Sequence, residues 1–178
     1  MHVVAFNGSP RKNGNTARLV RHCLDTLESE GISTEMVQVG GTNIRGCCSC
    51  LSCRKKAVEV CAITSDPFNE WIEKMKSAEG IILASPVYMF GTTPEMKALI
   101  DRASFIARGR VRRGEQGSMF YRKVGGAISA VRRAGAIQAL QTMISMFAVT
   151  QMVVPMSNYW TFGMGEAPGE VEKDMEGW

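Results

Sequence analysis

The segment Gly80-Ile81-Ile82-Leu83-Ala84 is hydrophobic almost throughout and stops abruptly at Ser85-Pro86. A short apolar run without alternation is the pattern of a strand buried on both faces, which a parallel sheet covered by helices provides. The rest of the chain repeats the rhythm. Val3-Val4-Ala5-Phe6 is another apolar run, stopped by Asn7-Gly8-Ser9-Pro10. Leu19, Val20, Cys23, Leu24 and Leu27 then recur at helical spacing, from a start near Asn15 to a stop at Gly31. Cys23 lies on that stripe and is assigned to the core. Thr34 to Val39 alternates as a strand, and a helix follows with Phe68, Trp71, Ile72 and Met75 on one face. Pro94 opens the next helix, which buries Met96, Leu99, Ile100 and Ala103. Val124 to Val131 is glycine-rich but strand-like, and Ile137, Leu140, Ile144 and Phe147 mark a further helix. Met152-Val153-Val154 is expected as the fifth strand. Strand and helix alternate throughout, which specifies an α/β fold with a parallel sheet between helices. A length of 178 residues suits one domain over 1–178, carrying a cysteine-rich loop insertion at 41–66.

Composition narrows the function. Hydrophobic content of 45% and charged content of 21% exclude a disordered chain. The apolar runs fall far short of the roughly 20 residues that span a bilayer, so no membrane segment is expected. At the N-terminus the apolar stretch precedes the charges, the reverse of a signal peptide, and a cytoplasmic location is expected. The net charge of +4 is partly local. Arg108, Arg110, Arg112 and Arg113 share one loop, and Arg132 and Arg133 another. No recognition helix or aromatic-studded strand accompanies them, so anionic small molecules suit this charge better than nucleic acid.

Three loops leave the carboxyl ends of strands, where ligands of such sheets bind. The first, Asn7 to Thr16, runs into a helix N-terminus, whose free N–H groups and dipole favour an anion. Ser9, Asn15 and Thr16 add short polar side chains there, and Arg11 and Lys12 add charge; a plain polar turn capped by Asn15 or Thr16 is the competing reading. The second, Ser85 to Pro94, sets Tyr88, Met89 and Phe90 beside glycine and proline, where exposed rings suit a flat aromatic ligand unless they cover the core. The third, Ser129 to Ala136, carries Arg132, Arg133 and Gly135, and reads either as a third wall or as a solvated charge pair.

NGSPRKNGNT after the first strand and SPVYMFGTTPEMKALIDR after the third resemble the flavodoxin-like NAD(P)H-dependent FMN reductase superfamily, over a span from Val3 to about Glu176. The resemblance implies a flavodoxin-like three-layer sandwich with a five-stranded parallel sheet of order 2-1-3-4-5. It implies FMN, with its phosphate on Ser9, Arg11, Asn15 and Thr16. Pro86, Val87, Tyr88, Met89, Phe90 and Gly91 would flank the flavin ring, and Ser129, Arg132 and Gly135 would border it from the third loop. The redox chemistry would be the flavin's, so no acid, base or nucleophile is nominated. His2 is terminal and His22 helical, and neither suits a hydrolytic site. Members are commonly dimers or tetramers, so a homo-oligomer is expected. Relatives usually carry a final helix on the sheet, and none is evident before Trp178.

Five of the six cysteines fall between positions 47 and 61. In a chain without a secretory signal, such clustering points to metal or redox chemistry. The series Cys47-x2-Cys50-x2-Cys53-x7-Cys61 supplies the four thiolates that a [4Fe–4S] cluster requires. Its spacing resembles that of the iron–sulfur flavoproteins, a branch of the same superfamily. Cys48 stands outside the set, because adjacent cysteines rarely ligate one centre. A four-cysteine zinc site and unmetallated thiols are the alternatives. The loop is expected near the ligand end of the sheet. Two functions fit. One is an FMN-dependent oxidoreductase taking hydride from NAD(P)H and reducing a small acceptor, such as a flavin or quinone. The other is an electron-transfer iron–sulfur flavoprotein exchanging electrons with ferredoxin. A phosphate-binding module without redox chemistry is a third reading.

Overall fold

In the computed structural model, the strand β3 (Gly80–Pro86) is buried at every position but its last, as its unbroken apolar pattern requires. The structure describes residues 1–56, 58–157 and 159–174. β3 pairs in parallel with β1 (His2–Asn7) on one side and β4 (Val124–Val131) on the other. β2 (Ser33–Gln38) flanks β1, and β5 (Phe162–Met164) flanks β4, giving the parallel order β2-β1-β3-β4-β5. This is the flavodoxin-like order.

Side chains alternate across the sheet with period two. Val4, Phe6, Ile81 and Leu83 face a core built by α3 (Phe68–Ser77), α4 (Pro94–Ala107) and α6 (Ala136–Val149). Ala5, Ile82 and Ala84 face α1 (Asn15–Ser29) through Val20 and Leu24. The single turn α7 (Val171–Asp174) packs Val171 beside Leu19 and Ala130 on the α1 side. Next to α1 lies an apolar cavity of about 300 Å³, lined by Leu19, Cys23, Ile82, Ile128, Trp160 and Phe162. Cys23 is therefore only half-buried, and that burial pushes its thiol pKa up. Two more single turns, α2 (Ser52–Lys55) and α5 (Gly109–Arg112), lie outside the layers. No described helix is long and apolar enough to cross a membrane.

The fifth strand departs from the sequence expectation. Of Met152-Val153-Val154, only Val153 reaches the sheet, as one parallel bridge to Val124. Its N–H donates to Lys123 O (2.9 Å) and its carbonyl accepts from Gly125 N–H (2.8 Å). Pro155 has no N–H to continue the ladder, and the chain leaves the sheet there. It returns at Phe162, whose strand pairs with Ser129 to Val131 at the other end of β4. The fifth strand is thus Phe162–Met164.

Gly40, just past β2, is where the sheet edge meets the first loop. A Cβ there would stand 2.3 Å from Ser9 C and 2.4 Å from Gly8 O, both backbone atoms that cannot rotate away. Gly40→Ala is expected to cost about 1–3 kcal/mol of stability, read as a lower urea midpoint at unchanged m-value.

Candidate functional site

The first loop is held from both sides. Asn7, fully buried, accepts the Ser9 N–H on Oδ1 (3.1 Å) and donates through Nδ2 to Gln38 Oε1 (2.9 Å). Gln38 Nε2 donates in turn to Ser9 O (2.6 Å) and Gly40 O (2.7 Å). On the other side Gly8 N–H donates to Ala84 O (2.7 Å), and the buried Thr93 Oγ1 donates to Gly8 O (2.8 Å). A Cβ on Gly8 would lie 2.9 Å from that same Ala84 carbonyl oxygen, so the loop sits flush against β3.

The loop delivers the chain to α1, whose N-cap is Gly14 and whose first turn carries no side-chain cap. Its leading N–H groups and the positive end of its dipole stay open to an anion. α4 differs: Thr93 caps it by accepting the Met96 N–H (3.3 Å). Of the side chains assigned to this site, Ser9 in the loop and Thr16 in the first turn of α1 are buried, and Arg11 is exposed. Ser9 Oγ accepts the Arg11 N–H (3.2 Å). Asn15 has its side chain engaged elsewhere: Nδ2 donates to Ala167 O (3.0 Å), and Oδ1 accepts the Gly169 N–H (2.8 Å). It thereby ties the start of α1 to the segment before α7.

The second loop is a tight turn. Tyr88 and Gly91 exchange both backbone hydrogen bonds at 2.9 Å, and the two residues between them, Met89 and Phe90, have φ of 43° and 61°. Side chains rarely accept that conformation, which here lifts the rings clear of the core. Met89 is 93% exposed, Phe90 58% and Tyr88 48%, so these residues do not cover the core. Val87 N–H donates to Ala130 O (3.0 Å), and Pro86 ends β3 beside it. The third loop closes on the second at Gly135, whose φ is 94° and whose missing Cβ would meet Val87 Cγ1 at 2.9 Å and Phe90 Cα at 3.0 Å. Ser129, buried, donates to Ser85 O (3.1 Å), and Arg132 pairs with Glu166 (2.8 Å). The three loops therefore adjoin at the carboxyl ends of β1, β3 and β4. They join an uncapped helix start, a projecting aromatic turn and a glycine where the two walls touch. This suits a phosphorylated, flat aromatic ligand such as FMN.

Cys47, Cys48, Cys50, Cys53 and Cys61 line one small pocket against Arg102, Phe105 and Ile106 of α4. Those helix residues lie 8 to 12 positions past Pro94, about 12–18 Å down α4 at 1.5 Å per residue. The pocket is thus well removed from the ligand end of the sheet, where it was expected. The reason is that the segment folds back along α4 to reach charged partners near the other end. Glu59 meets Arg110 and Arg113 beyond α4 and Lys76 at the end of α3 (3.0 Å to Lys76). The Arg110 hydrogen bond, with help from Lys76, draws the Glu59 carboxyl pKa down to about 2. Deeper in, Arg102 Nη1 contacts Asp66 Oδ2 at 2.6 Å, both side chains 1% exposed. Burial alone would raise the Asp66 pKa, but bonds from Arg102 and from the Arg45 and Phe68 N–H groups hold it below the usual range. The thiols are unequal: burial raises the Cys53 pKa, while the Ser52 N–H draws the Cys50 pKa down. Cys47, Cys50, Cys53 and Cys61, four of the five thiols lining this pocket, match an iron–sulfur centre in kind and number. Among the described residues, however, no three cysteine, histidine or carboxylate side chains gather where one metal ion would bind them.

Several residues that shape these sites escape sequence reasoning. Thr93 carried a usable signal, a threonine directly before a proline that opens a helix. Asn7, Gln38, Asp66 and Arg102 carried none, since each pair joins residues 31 or more apart.

The Glu59 anchor makes a pH-dependent difference. Its folded-state pKa lies below the ordinary 4.5. The stabilisation is therefore complete above that value and lost as the pH falls towards about 2. Glu59→Gln is expected to lower stability at pH 7 by about 1 kcal/mol. In urea titrations the gap from the unmodified chain should narrow at pH 3.

The profile of the NADPH-dependent FMN reductase family matches residues 1–167. An iron-sulfur flavoprotein of Methanocaldococcus jannaschii is 35% identical over 98% of this chain and 88% of its own. One from Methanosarcina thermophila is 30% identical over 96% of this chain and 85% of its own. Among solved structures, RosB with a bound flavin-derived intermediate superposes with a TM-score of 0.65 at 20% identity, covering 98% of this chain and 71% of that one. A flavodoxin from the domain Archaea gives 0.61 at 12% identity, over 99% and 90%. These two likenesses carry the fold. With the family profile spanning nearly its full length, the chain belongs to the NADPH-dependent FMN reductase family of flavin oxidoreductases.

Proposed function

We propose that this chain is an FMN-dependent oxidoreductase that takes hydride from NAD(P)H and passes electrons to a small acceptor such as a flavin or quinone. The observation that carries the reading is the uncapped start of α1, set at the end of β1 beside the exposed Tyr88-Met89-Phe90 turn. The phosphate of FMN would take the open N–H groups of α1, together with Thr16, Ser9 and Arg11; Asn15 would contribute its backbone N–H, its side chain being held by the 167–169 segment. Pro86 to Gly91 would shield one edge of the ring, with Ser129, Arg132 and Gly135 bordering it. FMN, when bound, supplies both the hydride and the single-electron chemistry. The residues bind and orient it, and the apolar turn keeps water from its edge.

Replacing Arg11 and Thr16 by alanine together removes two phosphate contacts, one of them from a guanidinium. The Kd for FMN should rise by about tenfold or more per residue, followed by quenching of FMN fluorescence. Unchanged affinity would move the phosphate elsewhere.

A second reading, an electron-transfer iron–sulfur flavoprotein served by ferredoxin, is favoured by the pocket lined with cysteines and by relatives bearing that name. Cys47, Cys50, Cys53 and Cys61 would be the ligands of a [4Fe–4S] cluster. The basic loops offer less free charge than their sequence suggests. Arg110 and Arg113 are paired with Glu59 and Glu115, Arg132 with Glu166, and Arg112 lies over the Phe105 ring. Arg108 and Arg133 have no ion-pair partner among the described residues, and they would meet a dinucleotide phosphate or an acidic protein surface. Self-association, the expected state, is supported by exposed Met156, Tyr159 and Trp160 near the apolar cavity.

One experiment separates the readings: iron, sulfide and FMN analysis of anaerobically purified protein, followed by reduction. Rapid bleaching of the flavin band by NADPH or NADH is the expected result. Iron and sulfide with bleaching only by reduced ferredoxin would transfer the function to the carrier. Colourless protein that takes up no FMN would leave a phosphate-binding module.

A further inference from the structure

Among the described residues, Arg102 is the only cation in the wall of the cysteine pocket, and it is itself 1% exposed. Its fork is spent on the two flanks of the cysteine segment. Nη1 donates to Asp66 Oδ2 (2.6 Å) and to Arg45 O (3.0 Å), and Nη2 donates to Ile63 O (3.2 Å). Arg45 precedes Cys47 and Ile63 follows Cys61, so one guanidinium fastens both ends of the run that holds every candidate ligand. The Phe68 ring covers it at 4.0 Å. Two of the five N–H groups of Arg102 make none of these hydrogen bonds, and of its nitrogens Nε is the one that is buried with no hydrogen-bond partner among the described residues. A buried donor without an acceptor is a standing cost that folded proteins rarely keep. Nor does stability by itself call for a buried ion pair, which apolar residues of similar volume generally match or better. Arg102 lines the same pocket as five thiols, and sulfur is the acceptor that an iron–sulfur centre would bring there.

We propose that Arg102 is the positioning residue of an iron–sulfur centre: it clasps both ends of the cysteine segment and donates its spare Nε–H to a sulfur of that centre. This rests on the cluster reading above. A centre held by four thiolates carries net negative charge, and hydrogen bonds to its sulfurs together with nearby charge set its potential. The Asp66 carboxylate offsets the charge of the guanidinium, so the donated Nε–H is what favours the reduced form, and losing that hydrogen bond shifts the midpoint to more negative values.

The test uses the full chain and two variants. Arg102→Lys keeps the charge and loses the fork; the paired Arg102→Gln and Asp66→Asn changes remove both charges without stranding either. FMN uptake reports folding in each. In apo protein, trypsin cleavage at the exposed Arg54, Lys55 and Lys56 reads the clasp without any cluster. Cleavage should be several-fold faster in both variants. After anaerobic reconstitution, a spectroelectrochemical titration should give a more negative cluster midpoint in Arg102→Lys, which keeps the charge but loses the Nε–H, and a shift in the same direction in the double variant, whose net charge is unchanged. An unchanged midpoint in both variants, or unchanged cleavage in both, overturns the proposal. If the unmodified chain takes up no iron or sulfide, the cluster reading itself fails and the donor role with it. The cleavage rates then still decide the clasp.

Discussion

The hydrogen bond from Thr93 Oγ1 to Gly8 O joins the first two ligand loops, and much of the site's geometry depends on it. The same hydroxyl caps α4, so the start of that helix and the loop between β1 and α1 share one buried atom. With the Asn7–Gln38 exchange on the opposite side, the loop is fixed between β2 and β3 before any ligand arrives. Rigidity of this kind matters because a ligand that orders its own binding loop loses affinity to that ordering. The open N–H groups of α1 are useful only because the loop leading to them is held still.

The cysteine segment follows a different logic. It contributes few deeply buried apolar side chains of its own, so packing holds only part of it. Two ion-pair systems do the rest, one buried at Asp66 and Arg102, the other half-exposed around Glu59. They differ in physical character. The half-exposed network is screened and adjustable. The buried pair tolerates no loss of one partner, since the other would remain as an uncompensated charge in the core. Together they draw the segment along α4, away from the carboxyl ends of the central strands. That path places the thiols and the loops at the carboxyl ends of β1, β3 and β4 at different heights along α4.

Much of this was legible beforehand. Gly80 to Ala84 read as a doubly buried strand because every position faces a helix layer. The stripes of α1, α3, α4 and α6 read as helices because their apolar spacing is local. The strand order came through the family resemblance of the two loop motifs, not from the pattern. β5 was misplaced because Met152-Val153-Val154 has a strand's composition, while the short Phe162–Met164 strand is an edge element with little pattern to read. The partners of Asn15 and Arg102 were invisible for another reason. Asn15 meets Gly169 across 154 residues, and a polar side chain carries no mark of so distant a neighbour.

By itself the sequence determined the α/β alternation, the places where strands hand over to loops, and the chemical kinds of group in those loops. Each of these depends on spacing within a few residues, where φ/ψ preference and hydrophobic period act directly. Only the tertiary structure decided that the three loops adjoin, that Met89 and Phe90 project in left-handed conformations, and that the cysteines lie beside a buried guanidinium. Those outcomes turn on how β2, β3 and α4 pack, and on which long-range polar groups must be satisfied once water is excluded.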